Sequence, residues 1–110
     1  MKYELFSRLY GEAQEYIDCD MFVGERGWQE WMDEYDNKGA DVGNILISIW
    51  DISSKDIKEL RAITKLSRAA FSRRYDIPVR TLEDWDAGLH KPPSYLTRLI
   101  AFTVWCDCNA

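Results

Sequence analysis

Between positions 61 and 80 seven residues carry charge, and six of them are cations: Arg61, Lys65, Arg68, Arg73, Arg74 and Arg80, against Asp76 alone. An arginine guanidinium is a planar fork that can donate two bonds to O6 and N7 of guanine, or a charge-assisted pair to a phosphate. Little else in the chain is arranged for chemistry. His90 is the only histidine. The sequence has no Gly-rich phosphate loop, no Gly-x-Ser-x-Gly elbow and no Cys/His pair with local support, so an enzyme is not expected. Cys106 and Cys108, two apart on a helix, face different directions, whereas zinc needs three or four converging ligands. Asp18, Asp20 and Glu25 lack the spacing of a calcium loop and read as a solvated acidic face. Neither a metal nor a cofactor is expected.

The elements that must position the cations follow from local signals. Ser67 can cap a helix by accepting backbone N–H bonds, and Ala70, Phe71 and Tyr75 then recur on one face. Asp76 falls where that helix must stop, and Asp is one of the few non-glycine residues that tolerates a left-handed turn. Pro78 has the fixed φ of a helix start and no N–H to leave orphaned, which predicts a second helix from about Pro78 to Asp86. Leu82 and Trp85 anchor it, and Gly88 ends it. Phe71, Leu82 and Trp85 are thus the expected underside of a two-helix corner.

The run Pro78, Val79, Arg80, Thr81, Leu82, then Trp85 and Gly88, followed by Lys91-Pro92, resembles the helix-turn-helix of the Cro/lambda-repressor-like (XRE-like) DNA-binding family. It is similar in particular to small bacterial regulators and antitoxins with a Pro-Val-Arg-Thr-Leu-x-x-Trp-Glu-x-Gly pattern. The likeness spans roughly Lys55 to Trp105, about half the chain. It implies an all-α, lambda-repressor-like helix-turn-helix bundle whose second helix lies in the major groove of double-stranded DNA. On that footing Val79, Arg80 and Asp84 are the base readers, because they project outward when Leu82 and Trp85 face the core. Arg80 can pair with guanine, Val79 can touch a thymine methyl, and Asp84 can accept from a cytosine amino group or hold Arg80. Arg68 stands where family members commonly put a phosphate-binding Gln, with Arg73, Arg74, His90 and Lys91 as secondary phosphate contacts. The chain departs from the pattern at Asp76, where the family commonly has Gly, and at Asp86, where it has Glu. That acid commonly pairs with an arginine on the preceding helix, which implies a structural Arg61–Asp86 ion pair here. The resemblance further implies a homodimer reading a pseudo-palindrome.

The net charge is −5, and its distribution says more than its sum. Residues 1–52 hold four cations against twelve acids, a net of −8, while residues 53–110 hold ten cations against seven acids, a net of +3. The expectation is an acidic, aromatic-rich helical extension over 1–52 and a helix-turn-helix domain over 53–110. The extension should be turned away from DNA, serving dimerisation or capture of a toxin-like protein partner. Trp28, Trp31, Tyr35 and Trp50 either cover the core or form an aromatic surface for a second chain. The negative total and Asp84 in the reading position also keep a second reading open, a protein-interaction module or inhibitor on the same scaffold without DNA binding.

Along the extension, Leu5, Phe6, Leu9, Tyr10, Ala13 and Ile17 predict an amphipathic helix over Glu4–Ile17. Cys19 to Phe22 reads as a break. Trp28, Trp31, Met32 and Tyr35 predict a second helix, ended by Asn37-Lys38-Gly39. Asp41 caps a third, with Val42, Ile45, Leu46, Ile49 and Trp50 apolar; Ile45, Ile47 and Ile49 also alternate as in a strand, and the cap favours helix. Ser53-Ser54 is expected to restart the chain ahead of Ile57, Leu60, Ile63 and Leu66. Ser94 is expected to cap a last helix bearing Tyr95, Leu96, Leu99, Ile100 and Phe102. No run is long enough to cross a membrane and the start lacks a signal-peptide layout, so a cytoplasmic chain with reduced thiols is expected.

Overall fold

Asp41 and Asp56 each place a carboxylate on a backbone N–H three residues ahead, that of Asn44 at 3.2 Å and that of Glu59 at 2.8 Å. These bonds satisfy donors that the first turn of a helix leaves unpaired. The helices they start each belong to a different half of the chain. A computed structural model describes residues 1–109, which form eight helices and no strand among the described residues. They divide into two units, Met1–Ser54 and Lys55–Ala110. No helix among the described residues is long and apolar enough to cross a membrane.

The first unit contains α1 (Tyr3–Ala13), α2 (Cys19–Gly24), α3 (Glu30–Asn37) and α4 (Val42–Ser53). The apolar α4 is the hub against which the other three pack. Its Leu46, Ile49 and Ile52 meet a core that includes Phe6, Leu9 and Tyr10 of α1, Phe22 of α2 and Met32 of α3, all buried. Arg26 locks the arrangement. Its side chain is only 4% exposed, its Nη1 donates to Glu12 of α1 at 2.9 Å, and its guanidinium lies 4.3 Å from the Phe22 ring centre. A charge so enclosed is tolerable because an ion pair and a ring face replace its water.

The second unit contains α5 (Ile57–Thr64), α6 (Arg68–Tyr75), α7 (Val79–Asp86) and α8 (Ser94–Cys108). The longest helix, α8, packs on α5, and α6 packs on α7. Leu60, Phe71, Leu82, Ile100 and Val104 are buried at the centre. The Tyr75 hydroxyl meets that of Thr103 at 2.6 Å, joining α6 to α8.

Several expectations shift on contact with the structure. The segment from Asn44 to Trp50 is helical throughout, inside α4. Ser53 and Ser54 do not restart the chain. Ser53 closes α4, its hydroxyl donating to the Trp50 carbonyl at 2.7 Å, and Asp56 with Glu59 forms the capping box that opens α5. A serine hydroxyl inside a helix satisfies itself on a carbonyl a turn back, leaving a carboxylate as the better cap. Cys19–Gly24 is a helix rather than a break, because Asp18 accepts from the Met21 N–H at 2.8 Å. Ile17 lies beyond the end of α1 and is exposed, and Trp28 lies outside α3 and is exposed. Leu66 follows the end of α5. Pro93, not Ser94, occupies the cap position of α8. On α8 the buried line is Ile100, Ala101, Val104 and Trp105, while Tyr95 and Leu99 are exposed.

Replacing Asp56 with Ala should lower stability by about 1 kcal/mol in urea unfolding, the usual worth of a cap. Ser54→Ala should change it by less than about 0.5 kcal/mol, as expected at an exposed site outside the start of α5.

Candidate nucleic-acid interface

The corner of α6 and α7 is built from side-chain caps and one left-handed residue. Ser67 accepts from the Ala70 N–H at 3.1 Å and starts α6. Asp76, with φ of 53°, ends it, and the Ile77 N–H returns to the Ser72 carbonyl at 3.1 Å. The Ser72 hydroxyl then donates to the Ile77 carbonyl, closing the turn on itself. Pro78 stands at the cap position of α7 with φ of −55°, so Val79 is the first helical residue. At the far end Gly88, with φ of 75°, lets its N–H reach the Trp85 carbonyl at 3.1 Å while the Leu89 N–H reaches that of Asp84 at 2.9 Å. This paired closure needs a left-handed residue, which glycine adopts without steric cost.

Phe71 and Leu82 are fully buried beneath the corner, as expected. Trp85 is only half-buried. It lines a small cleft with Ile57, Lys58, Asp86 and Pro92 instead of sealing the underside. Leu82 and Ile77 take the enclosed positions.

Three charged side chains meet in a triad. Oδ2 of Asp86 accepts from Nη2 of Arg61 at 3.2 Å, and from Nη2 and Nε of Arg68 at 2.9 and 3.3 Å. The Asp86 side chain is 11% exposed, that of Arg61 21% and that of Arg68 42%. The Arg61–Asp86 pair is therefore present. Arg68, expected on a phosphate, joins it as a third member. One carboxylate thus ties the end of α7 to both α5 and α6. A guanidinium has five N–H donors, so Arg68 keeps donors beyond the two that Asp86 takes.

The remaining predicted residues fall in different surroundings. Val79 is exposed at the start of α7, and the Arg80 side chain is 86% exposed. Asp84, half-buried, lies 3.9 Å from the Arg80 Nε, an i,i+4 pair. Such an exposed pair is worth less than about 1 kcal/mol, so it orients Arg80 without immobilising it. Arg73, His90 and Lys91 are exposed. Arg74 is drawn elsewhere, to the Asp107 carboxylate of α8, which holds its guanidinium above the ordinary arginine value. Arg74 is thereby a tie between α6 and α8.

Glu83 was not singled out by the sequence reading, yet it is exposed on the same helix as Val79 and Arg80. The signal was its i+4 spacing from Val79, which puts both on one face. Lys65 is likewise exposed, in a left-handed conformation with φ of 60° just ahead of the Ser67 cap. The cysteines do not gather into a site. Burial raises the Cys19 thiol above its ordinary value, and Asp20, Asp18 and Asp51 raise it further; burial also raises that of Cys106. Among the described residues no three His, Cys, Asp or Glu side chains converge as metal ligands would.

Comparison with known proteins finds no match to this chain among protein-family models, curated proteins or solved structures.

Asp86→Ala should destabilise the chain by about 2–3 kcal/mol, since it leaves two guanidiniums facing each other with partial access to water. Arg68→Ala should cost about 1 kcal/mol or less, because Arg61 still neutralises the carboxylate; urea denaturation of the two variants checks the order. In timed alkylation with iodoacetamide at neutral pH, followed by peptide mass spectrometry, exposed Cys108 should react several-fold faster than Cys19 or Cys106.

Proposed function

We propose that this chain is a sequence-specific double-stranded DNA-binding transcriptional regulator, a repressor or antitoxin-like autoregulator, on a lambda-repressor-like helix-turn-helix scaffold. The observation that carries the reading is the start of α7. Val79 and Arg80 protrude there, while the opposite end of the helix is held by Asp86 to Arg61 and Arg68. A reading helix needs both conditions, exposed N-terminal side chains and a fixed angle of entry.

In this reading Arg80 donates to guanine, Val79 meets a thymine methyl, and Asp84 holds Arg80 or accepts from cytosine. Arg68 reaches a phosphate with the N–H donors that Asp86 leaves over, and Arg73, His90 and Lys91 add phosphate contacts. Arg74 is left out because Asp107 occupies it. Six cations against one acid between 61 and 80 make this the favourable stretch for a polyanion, although the whole chain is at −5. A homodimer would place two α7 helices about one turn of DNA apart on a pseudo-palindrome. The acidic unit, at −8, is kept off the duplex by repulsion and is available for a protein partner.

Fluorescence anisotropy on the DNA upstream of the chain's own gene, with random duplex as reference, tests the reading. Arg80→Ala should weaken specific binding by about tenfold to a hundredfold, a loss of about 1–3 kcal/mol, and relax discrimination at one base pair. Arg73→Ala should weaken specific and random DNA alike and lower the salt slope by about 1. Absence of binding to either duplex at low salt would reject DNA recognition and favour a protein-interaction module or inhibitor on the same scaffold.

A further inference from the structure

In the first unit α1 and α3 border an open cleft of about 640 Å³, lined by Leu5 and Arg8 of α1, Gln29, and Glu30, Trp31 and Glu34 of α3. Its apolar floor is Leu5 and Trp31. The Trp31 ring is not a loose surface group. Its indole N–H donates to Oε1 of Gln29 at 2.8 Å, the same oxygen receives Nη2 of Arg8 at 3.4 Å, and the ring meets Tyr35 edge-on at 5.8 Å. A platform fixed in this way loses little further freedom when something lies against it.

The charged lining of the cleft is two carboxylates, Glu30 and Glu34, and one cation, Arg8. Arg8, the cation in the cleft, is already drawn toward Glu12 at 3.8 Å and Gln29 at 3.4 Å. Glu30 and Glu34 are exposed one turn apart on α3. Glu34 is met by Lys38 in an i,i+4 pair whose side chains are both mostly exposed, a contact that water and salt readily weaken. The unit as a whole is at −8. An open hollow lined by Leu5 and Trp31, with carboxylates spaced by one helical turn, does not suit a small enclosed ligand. It suits an amphipathic segment that presents apolar knobs to the floor and cations at i and i+4 to the rim.

We propose that the α1–α3 cleft is a docking site for a cationic amphipathic helix of a partner protein, with Trp31 as anchor and Glu30 and Glu34 as the charged rim. The inference concerns the acidic unit alone and does not depend on DNA recognition.

The test uses the full chain and a synthetic 14-residue peptide with Leu at helical spacing (i, i+3/i+4, i+7) and Lys elsewhere. A peptide of the same composition in scrambled order serves as control. Peptide is titrated while the indole N–H signal of Trp31 is followed by NMR. The expected result is saturable one-to-one binding that moves the Trp31 signal, with the scrambled peptide at least about tenfold weaker. Glu30→Gln combined with Glu34→Gln should weaken binding about tenfold. These two positions are exposed, so that variant folds irrespective of the result; Trp31→Ala, checked by its far-UV dichroism, should weaken binding at least as much. Equal binding of the two peptides, an unmoved Trp31 signal, or full binding by the Glu30/Glu34 variant would overturn the proposal. So would concentration-dependent self-association of the chain that Trp31→Ala abolishes, since a second copy would then fill the cleft.

Discussion

In the second unit one oxygen atom joins three helices. Oδ2 of Asp86 accepts three N–H bonds from two arginines on two different helices, in a setting that is only 11% exposed at the carboxylate. The turn between α6 and α7 sets where α7 begins, through Asp76 and Pro78, but says nothing about where its other end goes. A helix of eight residues with one fully buried side chain, Leu82, has too little apolar surface to choose its own angle. The shared carboxylate ties that end to both α5 and α6. Because two cations meet a single anion, the cluster carries net positive charge.

The first unit reaches the same end by different means. Its hub is apolar, and α1, α2 and α3 are all referred to α4. The one deeply enclosed charge, Arg26, is paired with Glu12 and covered by Phe22, so the cation joins α1 to the segment following α2 without an orphaned group. No buried side-chain nitrogen or oxygen among the described residues lacks a hydrogen-bond partner. With the interior thus neutral in effect, nearly all of the unit's negative charge is left on its surface. That excess repels polyanions and attracts cations.

Local chemistry was the readable part of this fold. Asp41, Ser67, Asp76 and Gly88 act as their types predict, because a cap or a left-handed turn is decided within four or five residues. Where the reading slipped, two local signals competed or a distant partner decided. Ser53-Ser54 and Asp56 both look like helix starts, and the carboxylate prevailed. Tyr95 and Leu99 look like core, yet the same helix offers Ile100, Ala101, Val104 and Trp105, and α5 took that side. The Arg61–Asp86 pair was legible through a resemblance to a known motif. The arrival of Arg68 at the same oxygen and the departure of Arg74 to Asp107 were not, since both depend on where helices 18 and 33 residues apart come to rest.

The amino-acid sequence alone determined the all-helical character, the start of α4, both ends of α6 and α7, the opposed charges of the two halves and the side chains at the start of α7. Each of these is a property of composition or of neighbours along the chain. Tertiary structure alone decided which arginines are spent on distant carboxylates and which face water, that Trp85 is half-buried, and that Arg8 of α1 reaches Gln29 beside α3. Those outcomes are set by distances between residues remote in sequence, and a long, flexible charged side chain takes whichever counter-ion the packing of the apolar core brings within reach.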